Sequence, residues 1–140
     1  MKFKQSKNTL GYIEASPKPT KEFLENHYSK KYFQHPQGSY SKKYSKDEKL
    51  YFKNNAKIIH TVSKRIGLKR RSFIDVGCGE GFFASYFKKN NWRVFCNDYS
   101  DFGIKKFNKH LINDFYSGDA DYFLKNLNDL TKTPGLILFS

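Results

Sequence analysis

The stretch FIDVGCGEGFFASYF, residues 73–87, constrains the fold more than any other part of the chain. Four residues of strand character run into Gly77, Gly79 and Gly81, and an aromatic helical pattern follows at once. Glycine permits backbone conformations closed to other residues and a close approach of main chain to a neighbour. A tight strand-to-helix turn is therefore expected here. The free N–H groups at the start of the following helix favour an anionic group.

The pattern around this turn alternates. SFIDVG reads as a buried strand, FFASYFKKN as a helix and WRVFCND as a second strand rich in aromatic and β-branched residues. Ser100 is placed to cap a helix through Phe107 and His110. INDFYS is a third strand, DADYFLKNL a third helix and GLILFS a fourth strand. Alternation of this kind predicts an α/β fold with a parallel sheet, the 73–76 strand central. In such a sheet ligands sit beyond the carboxyl ends of the strands, near the switch point, and the glycine turn falls there.

The front of the chain differs. Residues 1–72 carry 18 Lys/Arg against 5 Asp/Glu, whereas 73–140 carry 8 of each. An anionic partner and a compositional drift towards Lys, Asn, Tyr and Phe both account for this, since charge asymmetry reports on partners and solubility rather than on a reaction. Residues 1–19 read as a polar tail or arm stiffened by Pro17 and Pro19, and Thr20 as the cap of a short helix. The pentad Tyr-Ser-Lys-Lys-Tyr occurs at 28–32 and 40–44, with a turn at His35-Pro36-Gln37-Gly38 between the copies. Tyr28, Tyr32, Tyr40 and Tyr44 could line the mouth of a site or pack the front against the core. Ser45-Lys46-Asp47-Glu48 is a capping box, so a helix should start there and run to Gly67. Tyr51, Ile58, Ile59, Val62 and Ile66 are its expected inward face. The division expected is a basic arm and helical cap over 1–72 and a ligand-binding core over 73–140.

Spacing narrows the ligand. A dinucleotide turn usually reads G-x-G-x-x-G, but Phe82 stands where its third glycine belongs. The pattern present is D-x-G-x-G-x-G, from Asp75 to Gly81. This resembles motif I of class I S-adenosylmethionine-dependent methyltransferases. Asp98 ends the second strand about twenty residues on, where an acidic residue holds ribose hydroxyls. SGDA, residues 117–120, follows the third strand, where that family commonly places an acidic residue on the adenine amino group. The resemblance implies S-adenosyl-L-methionine as cofactor. It places Asp75 near the ammonium and sulfonium charges, Gly77, Cys78, Gly79 and Gly81 under the cofactor, and Asp98 on the ribose. Asp119 would meet the adenine N6, with Tyr99 and Ala120 against the ring. Cys78 and Glu80 would act mainly through their backbone. Asp119 serves equally well as a helix cap.

The resemblance covers residues 73–140 and implies a Rossmann-like core that reaches the fourth of the family's seven strands, so an incomplete form is expected. The front half loosely resembles the cap of methyltransferases from bacterial surface-polysaccharide gene clusters. The implied acceptor is a small-molecule or sugar hydroxyl. The alternatives are an RNA methyltransferase or RNA-binding protein using the basic front, and a non-catalytic remnant. No catalytic base and no metal ligand is assigned. His27, His35, His60 and His110 are candidates by residue type alone. Cys78 and Cys96 suggest no disulfide framework, and the start of the chain has no apolar signal core. No apolar run approaches the ~20 residues of a membrane span. A cytoplasmic location is expected, and the sequence leaves the oligomeric state open.

Overall fold

Three parallel pairings build the central sheet. The computed structural model describes residues 4–28, 43–127 and 135–139. Within them lie β1 (Lys4–Lys7), β2 (Ile13–Ser16), α1 (Lys21–Asn26), α2 (Lys46–Arg65), β3 (Ser72–Val76) and α3 (Phe82–Lys89). They are followed by β4 (Arg93–Asp98), α4 (Phe102–Phe107), β5 (Phe115–Ser117), α5 (Ala120–Asn126) and β6 (Leu136–Phe139). The sheet order is β5-β4-β3-β6, every pair parallel. The chain is thus α/β and compatible with a Rossmann-like arrangement. β3 is flanked on both sides, and the chain turns back between β3 and β6, which makes that crevice the switch point.

In-register pairing puts Phe73, Asp75, Val94, Cys96, Leu136 and Leu138 on one face and Ile74, Val76, Phe95, Ile137 and Phe139 on the other. The first face packs with Ala84, Phe87, Trp92, Ile104 and Leu111 into the larger core, under α3 and α4. Phe73 and Phe87 stack at 4.1 Å, and Trp92 meets Phe87 edge-on at 4.9 Å. The second face packs on Phe123 and Leu127, in α5 and just after it.

α2 begins at the expected capping box: Ser45 Oγ accepts from the Glu48 N–H, and Glu48 Oε2 accepts from the Ser45 N–H. Its inward face differs from the expected one. Tyr51, Ile58, Val62 and Ile66 are exposed, whereas Ala56, His60 and Ser63 are buried, with Phe52 and Ile59 half-buried beside them. The cause lies in the partner helix. α3 presents Phe82, Phe83, Tyr86 and Phe87, and small residues with one flat ring let the helices approach where three β-branched residues could not.

The expected tail is a hairpin. β1 and β2 pair antiparallel. Asn8 Oδ1 holds the turn by accepting from the N–H groups of Leu10 and Tyr12, both at 3.0 Å. α1 is capped by Thr20 as expected, its Oγ1 accepting from the Phe23 N–H. The third strand is shorter than expected, because Lys109–Asp114 winds into 3-10 turns before β5. The turn at 35–38 and most of the two pentads lie outside the described residues.

Candidate cofactor site

The turn after β3 takes the shape its glycines allow. Gly77, Gly79 and Gly81 have φ of +76°, +52° and +71°, all in the left-handed region. Two hydrogen bonds tie the turn to the next strand: the N–H groups of Gly77 and Cys78 both donate to the Asn97 carbonyl, at 2.9 and 3.0 Å. The Gly81 N–H donates back to the Cys78 carbonyl, and the Gly81 carbonyl accepts from the Ser85 N–H to start α3.

Asp98 stands across this turn at the end of β4. Its Oδ2 accepts from the Gly79 N–H at 2.9 Å, and its Oδ1 accepts from the Ser100 N–H at 3.4 Å. Burial holds its carboxyl above the usual carboxylate range, against the opposing pull of the backbone N–H groups of Gly79, Ser100 and Tyr99. Asp75 is fully buried in β3, beside Cys78 and Cys96. Those cysteines are free thiols, and Cys78 is pushed up by its hydrogen bond with Cys96 and by burial.

The third part of the site sits on the adjoining strand end. Asn97 Nδ2 donates to the carbonyls of Tyr116 and Gly118, both at 3.0 Å, and fixes the start of the loop between β5 and α5. Asp119 caps α5, its Oδ1 accepting from the Tyr122 N–H at 3.0 Å, and its Oδ2 accepts from the Tyr99 hydroxyl at 3.2 Å. That cap holds the Asp119 carboxyl below its ordinary value. Burial and the Asp119 charge push the Tyr99 hydroxyl up to about 12. Ala120 opens α5 next to this pair. The fold thus gathers Gly77, Cys78, Gly79, Gly81, Asp98, Tyr99, Asp119 and Ala120 at the carboxyl ends of β3, β4 and β5, with Asp75 beneath in the sheet.

Several contributors carry little local signal. Gly103 lets α4 lie on the turn, since a Cβ there would come within 2.6 Å of the Gly79 carbonyl oxygen; only a lone glycine in a helical pattern hints at it. Glu80 engages through its side chain as well as its backbone. Its Oε1 accepts from the Tyr44 hydroxyl at 2.7 Å, and Asn108 Nδ2 donates to its carbonyl at 2.8 Å. Burial raises the Glu80 carboxyl, with the Tyr44 bond opposing. Of the tyrosines in the pentads, Tyr28, just past the end of α1, stacks flat on Tyr99 at 5.0 Å, and Tyr44 packs edge-on against Phe52, Phe82 and Phe107. Tyr32 and Tyr40 lie outside the described residues.

The described histidines are dispersed. His27 edges Tyr28, His60 is enclosed by Tyr86, Phe87 and Trp92, and His110 Nε2 lies 3.2 Å from Ser85 Oγ. Among the described residues no three of His, Cys, Asp and Glu are grouped to hold a metal, and no helix is long and apolar enough to cross a membrane. No protein-family model and no curated protein matches the chain.

Proposed function

We propose that this chain binds S-adenosyl-L-methionine and serves methyl transfer to a small-molecule or sugar hydroxyl, as a class I methyltransferase does. One observation carries the reading. A turn with left-handed backbone at Gly77, Gly79 and Gly81 faces the Asp98 carboxylate, 2.9 Å from the Gly79 N–H, at the end of the central parallel strand and beside the switch point.

The donor set fits that cofactor. Three glycines leave backbone where side chains would otherwise stand, and the N-terminus of α3 suits a carboxylate. Asp98 accepts from the ribose hydroxyls, and its half-buried setting strengthens such bonds. Asp119 accepts from the adenine amino group, while Tyr99 and Ala120 give the ring an apolar wall. No lysine is required at the turn, because this cofactor has no phosphate. The bound cofactor supplies a methyl group on a sulfonium, a good leaving group, so alignment provides much of the rate. A general base is needed for a hydroxyl acceptor, and no residue is assigned to that role.

Calorimetry with S-adenosylhomocysteine tests the reading. Saturable binding is expected, and Asp98→Ala should weaken it by about 1–3 kcal/mol through loss of charge-assisted hydrogen bonds. Thermal unfolding of the variant separates this from loosening of the turn. Absence of binding by the folded chain, or binding of NADH in its place, would overturn the assignment.

A further inference from the structure

A second concave site lies between α2, α3 and the end of α4. Its volume is about 410 Å³, towards the small end of the ~300–1,000 Å³ range of ligand cavities. Its floor is aromatic: Phe52 stacks on Phe82 at 4.8 Å with 16° between the rings, and Phe107 tilts against Phe82 at 6.0 Å. Its rim is basic. Lys49 and Lys53, one helical turn apart on α2, and Lys89 of α3 line it with exposed side chains.

Three features make this wall unusual. No carboxylate lines it. The ion pairs among the described residues use Lys18, Lys21, Lys88 and Lys105, and none of the three rim lysines. The buried Ser85 also lines the cavity, its hydroxyl paired with His110 Nε2. Burial, then the charges of Lys89 and Lys88, hold His110 below its ordinary range, against the opposing Asp114 carboxylate. Aromatic side chains on the floor favour an aromatic body through edge and offset contacts, and a rim of ammonium groups favours a negative charge on it.

We infer that this cavity is a binding site for a small planar aromatic anion, a ring system carrying a phosphate group, with the ring on Phe52, Phe82 and Phe107 and the phosphate among Lys49, Lys53 and Lys89. The cavity adjoins the far side of the glycine turn through Phe82, and the inference does not depend on the cofactor assignment.

The test is titration of the full 140-residue chain, without cofactor, with 1-naphthyl phosphate, 1-naphthol and inorganic phosphate, followed by calorimetry and by amide shifts. The phosphate ester should bind saturably, with shifts centred on Phe52, Ser85 and Lys89. Naphthol and inorganic phosphate should each bind at least tenfold more weakly. The double variant Lys53→Glu, Lys89→Glu changes only exposed side chains, so it should unfold at the temperature of the parent while losing at least tenfold in affinity. Naphthol binding as tightly as its phosphate would overturn the charge requirement. Unchanged affinity in the double variant, or shifts confined to residues 77–81, would overturn the site.

Discussion

On one face of the parallel sheet, Phe73, Val94 and Cys96 meet Ala84, Phe87, Ile104 and Leu111, and α2 closes over that layer through Ile59. On the other, Ile74, Val76 and Phe95 meet Phe123 and Leu127, and the β6 side chains of that face, Ile137 and Phe139, are 39% and 69% exposed. The same strands supply both faces, so the difference comes from the helices. Three helices stack on the first face. Among the described residues α5 alone covers the second. The candidate site draws on both: the glycine turn leads into α3 on the thick side, and Asp119 starts α5 on the thin one. Rigidity at the turn and adaptability at the α5 end follow from that arrangement.

The largest expected effects test this asymmetry directly. Phe87→Ala should cost about 4–5 kcal/mol, because the ring is fully enclosed by Phe73, Tyr86 and Trp92 and its neighbours are braced by α2. Phe123→Ala on the thin face should cost about 3 kcal/mol, since fewer fixed neighbours surround the cavity left behind. Chemical denaturation measures both, and equal losses would break the contrast. Gly81→Ala comes next, at about 3 kcal/mol. Its Cβ would lie 2.4 Å from Ile104 Cδ1 and 2.9 Å from Leu111 Cδ1, both in the thick core, and the φ of +71° disfavours any L side chain. A variant of parental stability would show that the Ile104 and Leu111 side chains and the left-handed backbone both accommodate the methyl group.

The parts of this architecture that are readable from sequence are local. Each parallel strand is a short apolar run bounded by a turn signal, and the glycine turn announces its own backbone through three residues within five positions. The capping box at Ser45 and the Thr20 cap are likewise local. The inward face of α2 is not. Choosing Ala56, His60 and Ser63 over Ile58, Val62 and Ile66 requires knowing that the facing helix is lined with rings. The hairpin at the start rests on Asn8 and Gly11, too few residues to outweigh a polar composition. The Tyr28–Tyr99 stack and the Tyr44–Glu80 hydrogen bond join positions far apart in the chain, and no spacing rule reaches that distance.

His60 gives a smaller, pH-dependent effect on the thick face. It is buried edge-on against Trp92 at 5.5 Å, with Nδ1 3.5 Å from the Tyr86 hydroxyl. Burial, then the charges of Lys64 and Arg71, hold its imidazole below the ordinary value of 6.5. The unfolded chain therefore takes up this proton at a higher pH than the folded one. Its contribution is fully present above about 6.5 and is lost as pH falls through the lower folded value. Denaturation midpoints should fall on acidification below pH 6.5, and His60→Gln should flatten that slope. His110 is lowered in the same direction by burial, Lys89 and Lys88, so a residual slope should persist in the variant. An unchanged slope would assign the whole effect to other groups.

The smallest effect should come from the residue whose apolar character most suggests a core position. Ile58 lies two residues from both Ala56 and His60, so at about 100° per residue it points some 200° away from either. It is 60% exposed where Ala56 is fully enclosed. Ile58→Ser removes an apolar side chain from water and leaves no cavity, and serine and isoleucine have nearly equal helix propensities. Its cost should therefore stay near about 0.5 kcal/mol, close to a tenth of that of Phe87→Ala. Ala56→Leu, one helical turn along the buried face from His60, should instead cost about 1–3 kcal/mol by overfilling the contact with α3. Measured side by side in denaturant, these two substitutions fix which face of α2 is turned inward. Reversal of their order would place the isoleucine-bearing face against the core.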